Sequence, residues 1–263
     1  MNSSHPSAGP SRELLAALEA ARAATEVINR LYQRNLAVTI KADRSPVTEA
    51  DVQSEQAIRA VLERHFPGYG FYGEETGQRG MDADNVWLVD PIDGTKSFVR
   101  DTPFFSTQIA LMREGRLVLG VSCASAYGEL AWAEEGGGAF LNDRPIRVST
   151  VDDIGSAILS TGNLKTLAAS PEGWSRLGAL VGRVNRLRGY GDFVHYHLLA
   201  RGALDVVLES DVNILDIAAL SVIVREAGGV FTQLDGGPIG LNTTTVLASN
   251  AALHGSVLQA MRG

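Results

Sequence analysis

The residues with the clearest chemical potential lie in one short stretch, 87–98, which reads Trp-Leu-Val-Asp-Pro-Ile-Asp-Gly-Thr-Lys-Ser-Phe. Its apolar start predicts a buried strand that stops at the proline, because proline cannot donate to a sheet ladder. Asp93 could then cap a helix that starts at Gly94 and Thr95. Free amides at a helix start favour an anion, and the carboxylates of Asp90 and Asp93 favour a hard cation such as Mg²⁺. The stretch therefore predicts a site where metal ions bring a phosphate onto a helix N-terminus; the alternative is a plain turn with a helix cap.

A second acidic motif precedes this stretch. Glu74 and Glu75 directly follow an apolar segment, 71–73, that predicts a strand. A pair of glutamates is usually a solvated loop tip. Here the next predicted strand, 86–89, comes shortly afterwards, so neighbouring strands could bring Glu74 and Asp90 to the same sheet edge.

Two more acids stand at predicted helix starts. Residues 48–51, Thr-Glu-Ala-Asp, have the form of a capping box that ends in Asp51. Asp216 opens a late apolar helix, where it could serve as an N-cap. Each has this ordinary explanation by itself, but together the acids fall at the ends of elements, where sites are built.

Composition sets the broad class of the chain. It has 263 residues, of which 45% are hydrophobic and 20% charged, with a formal net charge of −7 and a pI of about 5.3. These values fit a globular protein of enzyme size and argue against a nucleic-acid surface, which needs a basic stripe. A small anionic substrate stays possible, because metal ions can reverse the local potential.

Other features bear on compartment. The single cysteine, Cys123, excludes an internal disulfide framework and a thiolate zinc cluster. Residues 1–10 carry no apolar segment of the kind a signal peptide needs, and no run approaches the ~18 apolar residues of a membrane span. We expect a cytoplasmic protein with a flexible start at 1–10 and no membrane partner.

The elements that must position the acids follow from apolar spacing. Ser11 caps a predicted helix to about Asn35, and the helix behind Asp51 should bury Val52, Ile58, Val61, Leu62 and Phe66. Alternation and turn residues predict an antiparallel meander with strands at 107–112, 117–122, 129–133, 138–141 and 146–149. The second half alternates strands and helices, the last of them at 250–261.

These motifs, in this order, resemble those of the inositol monophosphatase superfamily of Mg²⁺-dependent, lithium-sensitive phosphomonoesterases. The matches are 47–51, 73–75, 90–95, 216–219 and 226–229. The resemblance implies a mixed α/β fold, a layered α/β/α/β/α sandwich of the inositol monophosphatase and fructose-1,6-bisphosphatase type. It also implies one phosphatase domain at 11–263, with lobes at about 11–150 and 151–263, and a homodimer.

Carried over position by position, the resemblance implies a role for each acid. Glu74, Asp90 and the Ile92 carbonyl would hold a first Mg²⁺, and Asp90, Asp93 and Asp216 a second; Glu74 would share in a third. The amides of Gly94 and Thr95 would bind phosphate, with Asp93, Lys96 and Asp216 beside the substrate. Thr95, supported by Asp51, would orient the attacking water together with Glu74. One departure is Leu215, where the family usually has tryptophan.

Within the superfamily, 93–100 and 188–193 look most like histidinol-phosphate phosphatases. Arg188 would line the substrate pocket, with Asp192 and Glu209 nearby, and acidic walls suit a substrate with an ammonium and an imidazole. Inositol 1-phosphate and 3′(2′),5′-bisphosphate nucleotides are the alternative substrates within the superfamily. A metal-binding pseudo-phosphatase is the non-enzymatic alternative.

Rival phosphatase chemistries fit the residues less well. In the Asp-x-x-Asp of 90–93 the second acid comes one residue too late for an aspartyl-phosphate enzyme, and Glu129 stands where a cysteine phosphatase would need arginine. We expect His195 and His197 to be partly buried or surface side chains rather than metal ligands, because they lie two apart on a predicted helix.

Overall fold

A computed structural model describes residues 9–34, 37–40 and 46–262. The predicted flexible start lies mostly outside these residues, as does the predicted helix end at Asn35. The helices are α1 (Arg12–Leu31), α2 (Glu49–His65), α3 (Thr95–Val99), α4 (Lys165–Ala168), α5 (Pro171–Val181), α6 (Asp192–Ala200), α7 (Ile214–Glu226) and α8 (Ala251–Arg262). A short 3₁₀ turn covers Ile154–Ser156.

The strands begin with a small pair, β1 (Val38–Ile40) and β2 (Pro46–Thr48). Those of the first half are β3 (Gly70–Gly73), β4 (Gly77–Arg79), β5 (Asn85–Asp93), β6 (Ser106–Arg113), β7 (Arg116–Ala124), β8 (Glu129–Glu134), β9 (Gly138–Leu141) and β10 (Arg144–Ile146). Those of the second half are β11 (Ile158–Thr161), β12 (Arg186–Arg188), β13 (Val206–Ser210), β14 (Gly229–Thr232) and β15 (Thr245–Asn250).

Two sheets organise the molecule. The larger has the order β10-β9-β8-β7-β6-β5-β3-β4, and its neighbours are antiparallel except β3 and β5, which run parallel. The smaller is mixed, with the order β12-β11-β13-β15-β14. The meander predicted from 106 onwards is confirmed, although its last strand lies at Arg144–Ile146 rather than at 146–149.

Helices cover these sheets in layers. Strand β5 shows why: alternate side chains point to opposite faces, so Trp87 and Val89 pack under α1 and α2, while Val86 and Leu88 pack toward α6 and α7. The other side of the α6 and α7 layer covers the smaller sheet, whose outer face packs against α5 and α8. The order is thus helices, sheet, helices, sheet, helices, and the predicted α/β/α/β/α sandwich is confirmed.

Local capping fixes the first two helices as predicted. The Ser11 hydroxyl accepts a hydrogen bond from the Leu14 amide at 3.0 Å, and Thr48 and Asp51 form a capping box at the start of α2. The burial prediction for α2 was wrong at Val52, which is 38% exposed, whereas Ile58, Val61 and Leu62 are buried. Phe66, the C-cap residue, is half-buried and packs against the same core. Among the described helices, none combines the length and apolar character that a bilayer crossing requires.

Candidate active site

A bulge in β5 places the first two acids. The prediction that the strand stops at Pro91 was wrong: pairing with β6 shifts register between Asp90 and Asp93, and the strand continues through both. Proline is tolerated at a bulge because the extra residue makes no ladder bond. The carbonyl of Pro91 instead accepts a hydrogen bond from the Thr107 hydroxyl at 2.8 Å. The bulge leaves Asp90 and Asp93 buried, at 2% and 9% exposure.

The helix that follows is not capped by Asp93, so that prediction was also wrong. Its N-cap is Gly94, in the left-handed region at φ +91°, with no side-chain cap. A Cβ at this position would lie 2.7 Å from the Phe104 carbonyl oxygen, so both space and backbone require glycine. Asp93 is therefore not used in capping, and its carboxylate lies with the other acids.

The third acid comes from the opposite layer. The prediction that Asp216 caps α7 was wrong: the N-cap is Asn213, and Asp216 is the third helical residue, which completes a capping box. Its two carboxylate oxygens accept hydrogen bonds from the Asn213 amide at 2.9 Å and side-chain amide at 2.7 Å. Asp90, Asp93 and Asp216 thereby each offer one oxygen, and these oxygens lie within 4.8 Å of one another.

Glu74 joins the cluster from the neighbouring strand, as the parallel pairing of β3 with β5 predicts. Gly73 lies opposite Val89, and the Glu74 amide donates to the Val89 carbonyl at 3.1 Å. The Glu74 carboxyl group interacts directly with that of Asp90 and helps to raise its pKa.

Burial and mutual repulsion together raise the pKa values of the acids in this cluster. Burial, followed by the negative charges of Glu74, Asp93 and Asp216, raises the pKa of Asp90 well above its usual range. Burial and the charges of Asp192 and Asp216 raise that of Asp93 likewise. Burial also raises the pKa of Asp216 to about 7, with Glu74 adding to the effect and the bonds from Asn213 opposing it. Carboxylates held this close need shared protons or a cation between them.

The donors present fit a hard metal ion. They are all oxygens, and the buried Oδ2 of Asp93 has no hydrogen-bond partner among the described residues. Carboxylate and carbonyl oxygens are the ligands that Mg²⁺ prefers. The Ile92 carbonyl lies at the same bulge, next to Asp93. The acid cluster therefore fits a hard, oxygen-coordinated metal ion.

A threonine and an aspartate face the cluster from α3 and α2. The Thr95 hydroxyl donates toward both Asp51 Oδ1 and the Ile92 carbonyl, each at 3.1 Å. The other oxygen of Asp51 accepts from the amide and hydroxyl of Thr48, both at 2.7 Å. Burial nevertheless raises the pKa of Asp51, with the three bonds from Thr48 and Thr95 opposing the shift.

A small pocket of about 30 Å³ continues from the acid cluster. Its walls include Asp93 and Asp216 together with Asp192 and Glu209, so the predicted neighbours of the substrate lie side by side. Burial, followed by the negative charge of Glu209, raises the pKa of Asp192 to about 6. The positive charge of Lys96 opposes this shift, so Lys96 acts electrostatically on the pocket wall. The volume exceeds the roughly 10–15 Å³ that one water-sized group needs, so the pocket has room for a group as small as an ammonium.

Three donors hold Glu209 in place. They are the Asn163 amide at 3.1 Å, the Tyr196 hydroxyl at 2.9 Å and His195 Nε2 at 3.1 Å. Burial alone would raise the pKa of Glu209, but these contacts, with His195 the strongest, lower it overall. Glu209 is therefore a charged carboxylate in a buried wall.

Sequence reasoning missed Asn163, Tyr196 and His195 as parts of this wall. The expectation of partly buried or surface histidines was wrong, because His195 and His197 are both buried. His195 meets Glu209, whereas His197 meets Glu129 and Ser122. The sequence offered one signal for this wall, an apolar helix (α6) that precedes a strand-end glutamate (Glu209 in β13). That signal does not show which side chains of the helix contact the glutamate.

Two predicted residues lie farther out. Lys96 is exposed on α3. Arg188 ends the edge strand β12, is exposed, and donates to the Leu187 carbonyl at 2.8 Å; it does not line the pocket. Leu215, the departure from the family pattern, is 4% exposed and packs in the core between the two sheets.

The sequence is similar to that of a known family of phosphatases. A model of the inositol monophosphatase family matches residues 11–263. The histidinol-phosphatase of Mycobacterium tuberculosis is 41% identical over 260 residues, 94% of this chain and 96% of that protein. The inositol-1-monophosphatase of Mesorhizobium japonicum is 35% identical over 244 residues, 87% of each chain.

The solved structures agree. The crystal structure of the extragenic suppressor protein SuhB from Bartonella henselae aligns with a TM-score of 0.88 at 32% identity, covering 96% of this chain and 99% of that one. A family match over residues 11–263, relatives above 30% identity and a shared fold all lead to one assignment. The chain belongs to the inositol monophosphatase family and is a phosphoric monoester hydrolase.

Proposed function

We propose that this enzyme is a Mg²⁺-dependent phosphatase that hydrolyses L-histidinol phosphate to L-histidinol and phosphate. The observation that carries the proposal is the continuity of two acidic sites. Asp93 and Asp216 belong both to the metal-ligand cluster and to the small pocket that also contains Asp192 and Glu209. A substrate that is anionic at one end and cationic at the other matches that arrangement.

Glu74, Asp90, Asp93, Asp216 and the Ile92 carbonyl would hold two or three Mg²⁺ ions. Bound there, the ions would supply positive charge for the phosphoryl oxygens and would acidify a water molecule. The raised pKa values of Asp90, Asp93 and Asp216 support this role, because a bound cation offsets both the burial of the carboxylates and their repulsion.

Thr95 and Asp51 would act on the attacking water. The single hydroxyl hydrogen of Thr95 is engaged by Asp51 and the Ile92 carbonyl, so its oxygen can still accept a hydrogen bond from water. Asp51 thereby fixes the direction of that lone pair, and Glu74 would take part in orienting the same water. The first amides of α3, at Gly94 and Thr95, would bind the phosphate, and Lys96 would add positive charge near it.

The pocket beyond the cluster would receive the amino group of histidinol. Its size suits one ammonium, and the ionised Glu209 beside Asp192 gives it negative charge. The imidazole would lie outside this pocket, which has room for only a small group. The hydroxyls of inositol could also donate hydrogen bonds to these carboxylates, but a neutral ring lacks the attraction between opposite charges that an ammonium adds.

A phosphate-release assay on one preparation tests the proposal. Histidinol phosphate, inositol 1-phosphate and adenosine 3′,5′-bisphosphate are compared by kcat/KM at saturating Mg²⁺. We expect histidinol phosphate to exceed both others by at least about tenfold, the value of one lost charge-assisted hydrogen bond. A higher kcat/KM for inositol 1-phosphate, the substrate class named for the Mesorhizobium relative, would reject histidinol phosphate and leave the metal site standing.

We further propose a cytoplasmic, lithium-sensitive homodimer that binds neither nucleic acid nor membranes. Its phosphatase domain would consist of a lobe at about 11–150, carrying the phosphate and metal site, and a lobe at about 151–263, carrying Asp216 and the substrate wall. Family membership supports these features. Light scattering of the purified protein would test the oligomeric state, and LiCl titration at fixed Mg²⁺ would test the inhibition.

A further inference from the structure

Glu55 is a buried acid that takes no part in the proposed chemistry. It lies on α2 with 0% exposure. Its Oε2 accepts a hydrogen bond from the Glu75 amide and its Oε1 from the Thr76 amide, both at 2.8 Å. A carboxylate that is fully buried and accepts one backbone N–H on each oxygen makes strong, charge-assisted bonds.

The position of Glu55 ties it to the site. Glu75 and Thr76 directly follow Glu74, so the carboxylate of Glu55 grips the backbone just beyond a proposed metal ligand. The contact also requires glycine at position 73, because a Cβ there would lie 2.5 Å from the Glu55 carboxyl carbon. Glycine at 73 is what lets the carboxylate approach this turn.

The same helix face holds a second segment of the site. Asp51 and Glu55 are four residues apart, which places them one above the other on α2. Asp51 accepts a hydrogen bond from Thr95, and Glu55 accepts two from the turn after Glu74. One buried helix face therefore sets the relative position of two separate segments, 74–76 and the start of α3.

We propose that Glu55 is a positioning residue that holds the Glu74-Glu75-Thr76 turn in its metal-binding geometry before any metal arrives. This inference rests on the proposed Mg²⁺-dependent function. It predicts that losing the Glu55 carboxylate weakens metal binding more than it slows turnover at saturating metal, because the chemistry itself is done by other groups.

The test compares Glu55→Gln with Ser54→Ala. Glutamine keeps the size of the side chain but turns an NH₂ group toward one of the two amides, where a donor meets a donor. Ser54 is the matched control: it is the neighbouring residue on α2, equally buried, and its hydroxyl has no partner within the described part of the chain.

The first readout needs neither metal nor substrate. Amide hydrogen exchange of peptides covering 70–80 is measured by mass spectrometry on metal-free protein. We expect exchange at Glu75 and Thr76 to accelerate at least about tenfold in Glu55→Gln, in line with the loss of a charge-assisted bond. Peptides from β7 should be unchanged in the same protein, and Ser54→Ala should match the wild type throughout.

The second readout is the Mg²⁺ dependence of phosphate release. In Glu55→Gln the Mg²⁺ concentration for half-maximal rate should rise about tenfold to a hundredfold, while kcat at saturating Mg²⁺ falls far less. Unchanged exchange at 75–76, or a kcat loss with normal Mg²⁺ dependence, overturns the proposal. If Glu55→Gln does not fold, Glu55→Asp replaces it, since the shorter carboxylate cannot reach both amides.

The two readouts separate this inference from the proposed function. A wild-type enzyme without any Mg²⁺ requirement would reject the metal-dependent function even if exchange at 75–76 responds to Glu55. A Mg²⁺-dependent wild type whose turn is indifferent to Glu55 would reject the positioning role alone.

Discussion

The Thr95 hydroxyl lies 3.1 Å from Asp51 Oδ1, although 44 residues separate the two along the chain. The bond joins the start of α3 to the capping box of α2, whose other bonds already occupy the second oxygen of Asp51. The hydroxyl has one hydrogen, and its two acceptors are Asp51 Oδ1 and the Ile92 carbonyl. The lone pairs of the Thr95 oxygen therefore remain able to accept a hydrogen bond, as the proposed water-orienting role requires.

Thr95→Ala should lower kcat by about 10²–10⁴-fold, the usual loss for one proton-transfer or water-orienting group. Magnesium affinity measured by calorimetry should change little, because the hydroxyl is not proposed as a ligand. Thr95→Ser, which keeps the hydroxyl, is the control and should retain most of the rate. Lost Mg²⁺ affinity with normal kcat at high metal would instead make Thr95 part of the ligand shell.

Asp90→Asn should abolish most activity, since Asp90 is proposed to contact both of the first two metal ions. An amide keeps the shape but removes the charge that attracts the cation. Calorimetric Mg²⁺ titration should show weaker binding, and Ca²⁺ should inhibit the wild type because its longer bonds misplace the water. Near-normal turnover of the variant at saturating Mg²⁺, or full wild-type activity in excess chelator, would contradict this role.

Metal-free protein should lose stability as pH rises. The folded-state pKa of Asp216 is about 7 and that of Asp192 about 6, both above the usual 3.8. Between the usual pKa of 3.8 and these raised folded-state values, the folded state binds more protons than the unfolded state. The free energy of unfolding therefore falls as pH increases through that window. In chelator, Tm should be higher at about pH 5 than at about pH 7.5.

Added Mg²⁺ should reverse that trend, because the metal binds the ionised carboxylates and so stabilises most at high pH. Asp216→Asn should flatten the pH dependence of the metal-free protein. Asp152→Asn, at an exposed acid between β10 and β11, is the control and should behave as the wild type. A metal-free Tm that rises between about pH 5 and about pH 7.5 would refute the electrostatic account.

Asp192→Asn should select against the cationic substrate. Asp192 has φ +45°, a conformation that asparagine tolerates, so the backbone should be preserved. We expect kcat/KM for histidinol phosphate to fall about ten- to a hundredfold, with little change for inositol 1-phosphate. Equal losses on both substrates would mean that Asp192 acts on the shared phosphate end.

Gly94→Ala should destabilise the fold and the site together. The change forces a side chain into φ +91° and against the Phe104 carbonyl oxygen, at a cost of at least about 1–3 kcal/mol. Gly115→Ala is the matched control, because Gly115 has φ +77° but open space around its Cβ position. Urea unfolding should show a larger loss for Gly94→Ala; equal losses would leave the backbone conformation as the whole cause.

Much of the fold could be predicted from local pattern. The helix starts at Ser11 and Thr48 followed from capping chemistry, and the meander followed from alternation and turn residues. The errors occurred where tertiary contacts overrule local preference. Pro91 suggested the end of a strand, but it lies at a bulge and β5 continues past it. Val52 fitted the apolar stripe of α2, but its side chain is exposed.

The candidate site was predictable as a set of residues but not as an arrangement. Asp90, Asp93 and Asp216 lie together as the family resemblance implied, yet neither Asp93 nor Asp216 is the helix cap that its local sequence suggested. The hydrogen-bond donors to Glu209 could not be predicted from the sequence, because they come from a loop and from α6. Nothing in the sequence alone says which strand end faces which helix.

Because α7 is shared by both sheets, the two halves of the protein should not fold independently when they are expressed separately. This helix is buried along nearly its whole length and packs on β5 to β9 of the larger sheet as well as on β14 of the smaller one. A fragment ending at residue 150 would lack it and would expose the apolar face that includes Val86, Leu88 and Ala110. Such a half-protein should aggregate alone, whereas co-expression of both halves could reassemble an active pair through α7.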